Sequence, residues 1–180
     1  MNFTEDWFTH NIPNFEKCMS ALDKREIFLE IGSYEGRSTC WLLENGLAED
    51  GDIYCIDPFV GLSEIEKRFL SNVNTVKKPD QYFEHFKNYS YTALTWLVQD
   101  APGDPAKFDF IYIDGVHSAD GALTDACISW GLLLKGGVML FDDYLYPHEP
   151  TKVGIDAFLA AFEGKYDIIV NNYQLAVKKK

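Results

Sequence analysis

The sequence is short of cysteine: Cys18, Cys40, Cys55 and Cys127 stand 22, 15 and 72 residues apart. They lack the close pairing of zinc sites or stapled secreted domains, so they read as reduced core thiols. Long apolar runs are also missing, and none approaches the roughly 20 residues of a membrane span. Residues 1–25 carry Glu5, Asp6, Glu16 and Asp23 and no signal-peptide core, so a cytoplasmic protein without membrane contact is expected. Basic residues are scarce as well: 16 Lys and Arg against 28 Asp and Glu give a net charge of -12. Such a field repels phosphate backbones, which argues against nucleic acid and for a small neutral or cationic ligand. What is present is ordinary globular composition, 47% hydrophobic and 24% charged, in a length of 180 that suits one domain over residues 1–180.

Short apolar runs alternate with helical patterns, the signature of βαβ units and a parallel sheet. Residues 26–31 read as the first strand and Arg37 to Asn45 as the helix behind it, with Gly46 placed to stop it. Residues 52–57 and 108–113 read as further strands, each meeting an aspartate at its end, and residues 138–141 as another that meets Asp142-Asp143. Helices are expected over residues 119–134 and 152–163. Two alternating runs, 166–170 and 173–177, are joined through Asn171-Asn172, which predicts a terminal hairpin. The long charged and aromatic segment 58–91 reads as a helical excursion over the mouth of the sheet, a lid insertion.

Glu30-Ile31-Gly32-Ser33-Tyr34-Glu35-Gly36 follows a strand and opens a helix, so its glycines permit a tight turn close to a ligand. The spacing is not the G-x-G-x-x-G of a pyrophosphate site, and Glu30 would repel a pyrophosphate. Asp57 lies 21 residues beyond Gly36, near the spacing at which an acid accepts ribose hydroxyls. A nucleoside without phosphates is indicated. Asp114, Asp142 and Asp143 fall at strand ends on the rim where open α/β sheets bind ligands. Three carboxylates there call for a cation, and hard oxygen ligands indicate Mg²⁺, Mn²⁺ or Ca²⁺. Such an ion would lower the pKa of an acceptor hydroxyl. His117, with an ordinary pKa near 6.5, is a candidate general base or substrate contact.

Taken together, the 30–36 turn, Asp57, Ile113-Asp114-Gly115-Val116-His117-Ser118, Leu134-Lys135-Gly136-Gly137 and Phe141-Asp142-Asp143-Tyr144 resemble the class I S-adenosylmethionine-dependent methyltransferases. The resemblance is closest to the small-molecule O-methyltransferase branch that includes the macrocin-type enzymes. It implies an α/β, Rossmann-like fold: a seven-stranded, mostly parallel sheet with one antiparallel strand and helices on both faces. It implies S-adenosylmethionine as cofactor, with Glu30, Gly32, Ser33 and Gly36 at its methionine part, Asp57 on its ribose, Ser90 beside its adenine, and Asp114 in contact. It also implies Asp114, Asp142 and Asp143 as metal ligands, and Asp114 joins His117, read from its own chemistry, as a candidate catalytic residue. The family's base aspartate falls at Val116, a departure that throws the proton-accepting role onto His117. The expected activity is methylation of a hydroxyl on a small-molecule acceptor, with a homo-oligomer left open. Two competing expectations are an NAD-dependent oxidoreductase, which the missing G-x-G-x-x-G opposes, and a non-catalytic nucleoside-binding partner subunit, which Val116 favours.

Overall fold

The computed structural model describes residues 1–99, 107–147 and 150–180. Its elements in chain order are α1 (Ile12–Ala21), β1 (Ile27–Ile31), α2 (Arg37–Trp41), β2 (Asp52–Ile56), α3 (Ser63–Val76), β3 (Tyr82–Phe86) and α4 (Ser90–Gln99). They are followed by β4 (Phe108–Ile113), α5 (Ala119–Leu132), β5 (Leu133–Phe141), α6 (Thr151–Ala161), β6 (Tyr166–Asn171) and β7 (Leu175–Lys179). The seven strands form one sheet in the order β3-β2-β1-β4-β5-β7-β6. β7 is antiparallel to both its neighbours, and the other pairings are parallel. This is the Rossmann-like architecture that the motifs imply, hairpin included.

Strand alternation divides the core into two layers. Leu29, Ile31, Ile111, Ile113, Met139 and Phe141 point into a layer closed by α4, α5 and α6 through Leu94, Leu97, Ala126, Trp130 and Phe158. Phe28, Phe110, Tyr112 and Leu140 point the other way, onto Phe15 and Cys18 of α1, Leu42 and Leu43 after α2, and Phe69 of α3. The central β4 is buried at every position, as a strand covered on both faces must be. α2 continues through one π-helical turn, Leu42–Gly46, so the expected helix and its glycine stop are both present.

Residues 58–91 are not a helical excursion. α3 packs Phe69 against Phe59, Phe83 and His85, and β3 pairs in parallel with β2, so the segment is the regular β2-α3-β3 crossover. β3 escapes the sequence pattern because it is an edge strand, exposed or half-buried throughout, with Glu84 and His85 inside it. β5 also begins earlier than the apolar run at 138, since Leu133 already pairs with Phe108 before a bulge.

Candidate active site

The chain runs outward from β1 to β2 and β3 on one side, then from β4 to β5 on the other. The strand order therefore reverses between β1 and β4, and ligands of open α/β sheets bind at such a reversal. The rim is set there by backbone bonds from Gly32 N to Ile56 O (2.8 Å), Asp114 N to Ile31 O (2.8 Å) and Asp142 N to Ile113 O (3.0 Å). Above it lies a cavity of about 950 Å³, near the top of the roughly 300–1,000 Å³ of small-ligand sites.

The glycine turn forms one side. Gly32 has φ +86°, and a Cβ there would lie 1.8 Å from the Asp114 carbonyl oxygen, so only glycine lets the turn lie against the end of β4. Asp57 ties the turn down. Its Oδ2 accepts from Ser33 N and Tyr34 N, each at 3.0 Å, and its Oδ1 from Phe59 N at 2.9 Å. A carboxylate has about four lone-pair sites, so Oδ1 keeps room for one ribose hydroxyl rather than two. Tyr34, Phe59 and Asp143 are the non-glycine residues with positive φ among those described, and Tyr34 and Asp143 line this cavity. Backbone strain concentrates at functional sites in this way.

Gly32, Ser33, Asp57, Ser90, Asp114 and His117 all line the cavity. Glu30 does not. Alternation turns it with Phe28 onto the α2 face, where it is fully buried and accepts from Ser33 Oγ at 2.9 Å, from Ser38 Oγ at 2.5 Å and from Thr39 Oγ1. Burial raises its pKa against those donors. It braces the turn from beneath. Gly36 is also absent from the lining; its left-handed φ of +79° caps α2, and a Cβ would come within 2.7 Å of the Phe69 ring.

The acidic cluster differs from expectation in one member. Asp142 also lines the cavity, but it accepts from Tyr112 Oη, from Asn11 Nδ2 at 3.3 Å and from Asp143 N at 2.9 Å and stands outside the group of ligand atoms that could share one ion. His117 takes its place. Its Nδ1 lies 3.3 Å from Asp143 Oδ2 and its Nε2 3.7 Å from Asp114 Oδ1. Single ligand atoms of Asp114, His117 and Asp143 lie within 4.8 Å of one another, close enough to share one ion. β5 ends at Phe141, so both aspartates lie beyond the pleat, with Asp143 in a left-handed conformation at φ 53°. Burial and the Asp142 charge push Asp114 up to about 8, against the pull of His117, and burial raises Asp142 as well.

Sequence reasoning missed the side chains that arrange this cluster. Tyr112 bridges Asp114 (3.1 Å) and Asp142, and Tyr173 donates from the hairpin turn to Asp143 Oδ1. Tyr112 stood within a strand read only as apolar, and Tyr173 within a hairpin read only for topology. Residues 3–10 also enter the lining, through Phe3, Glu5, Trp7, Phe8 and His10.

A curated protein of Acanthamoeba polyphaga mimivirus, the uncharacterized protein R132, is 26% identical over 130 residues, 72% of this chain. The chain spans 57% of that relative's length. An O-methyltransferase from Bacillus cereus, solved with S-adenosylhomocysteine, superposes with a TM-score of 0.71 at 19% identity over 99% of this chain and 84% of its own. The O-methyltransferase TomG of Streptomyces achromogenes, solved with S-adenosylmethionine, gives 0.67 at 20% identity over 93% and 80%. These two likenesses establish the fold. The family itself follows from residues 29–144, which run from β1 through the acidic cluster and match the methyltransferase domain family: the chain belongs to that family.

Proposed function

We propose that the protein transfers a methyl group from S-adenosylmethionine to a hydroxyl of a small molecule. The observation that carries this reading is the single cavity joining the Gly32-Ser33-Asp57 turn to the Asp114, His117 and Asp143 cluster across the sheet reversal. Its volume of about 950 Å³ suits a nucleoside cofactor and an acceptor side by side. The bound cofactor supplies an electrophilic methyl on a sulfonium. The protein supplies orientation and charge. Asp57 accepts from one ribose hydroxyl, Ser33 and Tyr34 face the methionine part, and Ser90 lies at the adenine end. An acceptor hydroxyl placed beside His117 passes its proton to the imidazole, which Asp114 and Asp143 flank.

A divalent cation also fits the cluster. Asp114, His117 and Asp143 would hold it, and a set with one imidazole and two carboxylates shifts the preference from Ca²⁺ towards Mn²⁺. When bound, such an ion lowers the pKa of the acceptor hydroxyl. His117 then orients rather than accepts the proton.

Calorimetry should show S-adenosylhomocysteine binding, weakened roughly tenfold to a hundredfold by Asp57→Ala, the range for a charge-assisted hydrogen bond of about 1.5–3 kcal/mol. Unchanged affinity would remove Asp57 from the ribose role. With an acceptor in hand, EDTA divides the two proton routes. Loss of turnover restored by Mn²⁺ or Mg²⁺ supports the ion, and full activity in EDTA leaves His117 as the base. His117→Ala should then lower the rate by about 10²–10⁴.

A further inference from the structure

Glu35 belongs to the glycine turn, yet it has no part in the methyl-transfer reading. Its carboxylate instead holds residues 2–8, which line the cavity through Phe3, Glu5, Trp7 and Phe8 although neither helix nor strand supports them. Thr4 Oγ1 and Thr4 N donate to the two oxygens of Glu35, each at 2.6 Å, and Arg68 of α3 donates to the same carboxylate. Asn2 N donates to Asn72 Oδ1 at 2.6 Å, and Asn72 Nδ2 returns to Asn2 O at 2.9 Å and to Glu35 O at 3.0 Å. Arg37 Nε donates to Glu5 O at 3.1 Å. Trp7 sets its ring on Tyr34 of the turn at 5.1 Å, and Phe8 is buried on Phe15 and Trp41.

We infer that residues 2–8 are a gate on the cofactor end of the cavity, hinged at Phe8, and that the clasp of Thr4 on Glu35 sets how fast cofactor enters and leaves. This rests on the methyltransferase reading and concerns the regulation of its site. Among residues 2–8 only Phe8 is buried, so lifting the stretch breaks a few hydrogen bonds and uncovers little apolar surface. Segments attached in this way open far more readily than the core does. Glu35 is 2% exposed, and a buried carboxylate left without a partner would make opening costly. Arg68 removes that cost, because it belongs to α3 and stays on Glu35 when Thr4 departs. The clasp is therefore reversible: one partner leaves and the other keeps the charge paired. The stretch meets the turn at Tyr34 and Glu35, the end at which the reading places the methionine part. Opening both admits cofactor and releases it, so a looser clasp speeds exchange in both directions.

The test measures association and dissociation of radiolabelled S-adenosylhomocysteine on the parent, Thr4→Val and Thr4→Ser. Thr4 is exposed and lies outside the cavity lining, so Thr4→Val leaves the fold and the binding groups in place. It removes one bond to Glu35 and should raise both rates together by about threefold to tenfold while affinity stays within about twofold. Thr4→Ser keeps the hydroxyl and should return both rates to those of the parent. Unchanged rates in Thr4→Val would overturn the inference. Faster dissociation alone, with a matching loss of affinity, would also overturn it, since the stretch would then bind cofactor rather than admit it. Failure of S-adenosylhomocysteine to bind the parent would instead strike the methyltransferase reading. Amide hydrogen exchange without cofactor tests the gate by itself: residue 4 should exchange about threefold faster or more in Thr4→Val, with Ile111 in the core of β4 unchanged. Equal exchange at residue 4 in the two proteins would refute a clasp at Thr4.

Discussion

Asp125 shows how much one buried residue beneath the site can matter. It is 1% exposed within α5, accepts from the Ser90 hydroxyl, and leaves Oδ2 without a hydrogen-bond partner among the described residues. Burial pushes it up to about 6, against the bond from Ser90. A folded pKa above the unfolded value of about 3.9 means that its contribution to stability is full below pH 4 and lost as pH rises through 6. Asp125→Asn keeps an acceptor for Ser90 and removes that loss. The variant should match the parent in thermal denaturation at pH 4 and gain on the order of 2 kcal/mol at pH 7.5; a gain at pH 4 as large as at pH 7.5 would refute the titration account. Residues such as Asp57, Asp114 and His117 were legible because each stands in a local motif at a strand end. Asp125, Tyr112 and Asn11 were not: Asn11 meets Asp142 across 131 positions, and nothing local marks such a pair. Glu30 was recognised as an acid but misdirected, because the face a strand side chain takes depends on its place in the pleat.

Among the elements, the β6-β7 hairpin does more than complete the sheet. Its turn carries Tyr173, whose backbone oxygen accepts from Leu145 N at 3.1 Å while its hydroxyl donates to Asp143. Together these hold the loop after β5, in which Asp143 sits at φ 53°. Burial and the Asp143 carboxylate raise the Tyr173 pKa, so the hydroxyl remains a donor at neutral pH. Tyr173→Phe retains the ring and loses only the donor. It should slow methyl transfer about tenfold or more while changing S-adenosylhomocysteine affinity less than twofold, since the lost bond is worth about 1.5–3 kcal/mol at the cluster alone. Equal losses in both measurements would mean that the hairpin supports the whole cavity rather than Asp143. Elements were readable where an apolar run meets an acid at its end, as in β2, β4 and β5, and where Asn171-Asn172 separates two alternating runs. β3 was hidden because its edge position removes the apolar pattern, and residues 2–9 because hydrogen bonds to Glu35, Arg37 and Asn72, not periodicity, shape them.

For the molecule as a whole, the charge of -12 would, on the proposed function, favour the donor over its product. S-adenosylmethionine carries a sulfonium charge that S-adenosylhomocysteine lacks, so the surrounding field attracts the donor more than the spent cofactor. Raising ionic strength from about 0.01 to 0.5 M shortens the Debye length from about 30 to a few Å. Affinity for S-adenosylmethionine should fall severalfold more than affinity for S-adenosylhomocysteine, and parallel decline of the two in calorimetry would show that the field plays no part in exchange. The sheet was legible at this scale because alternating βα units leave few topologies open. The order of β6 and β7 has a consequence for biosynthesis. A ribosome releases β6 first, yet β7 belongs between β5 and β6, so the outer strand must wait for the inner one. Until β7 emerges, the nascent sheet ends at an unpaired β5, an open edge of the sort that chaperones shield and aggregates recruit. Tyr173 emerges just ahead of β7, so Asp143 gains this partner only as the sheet closes.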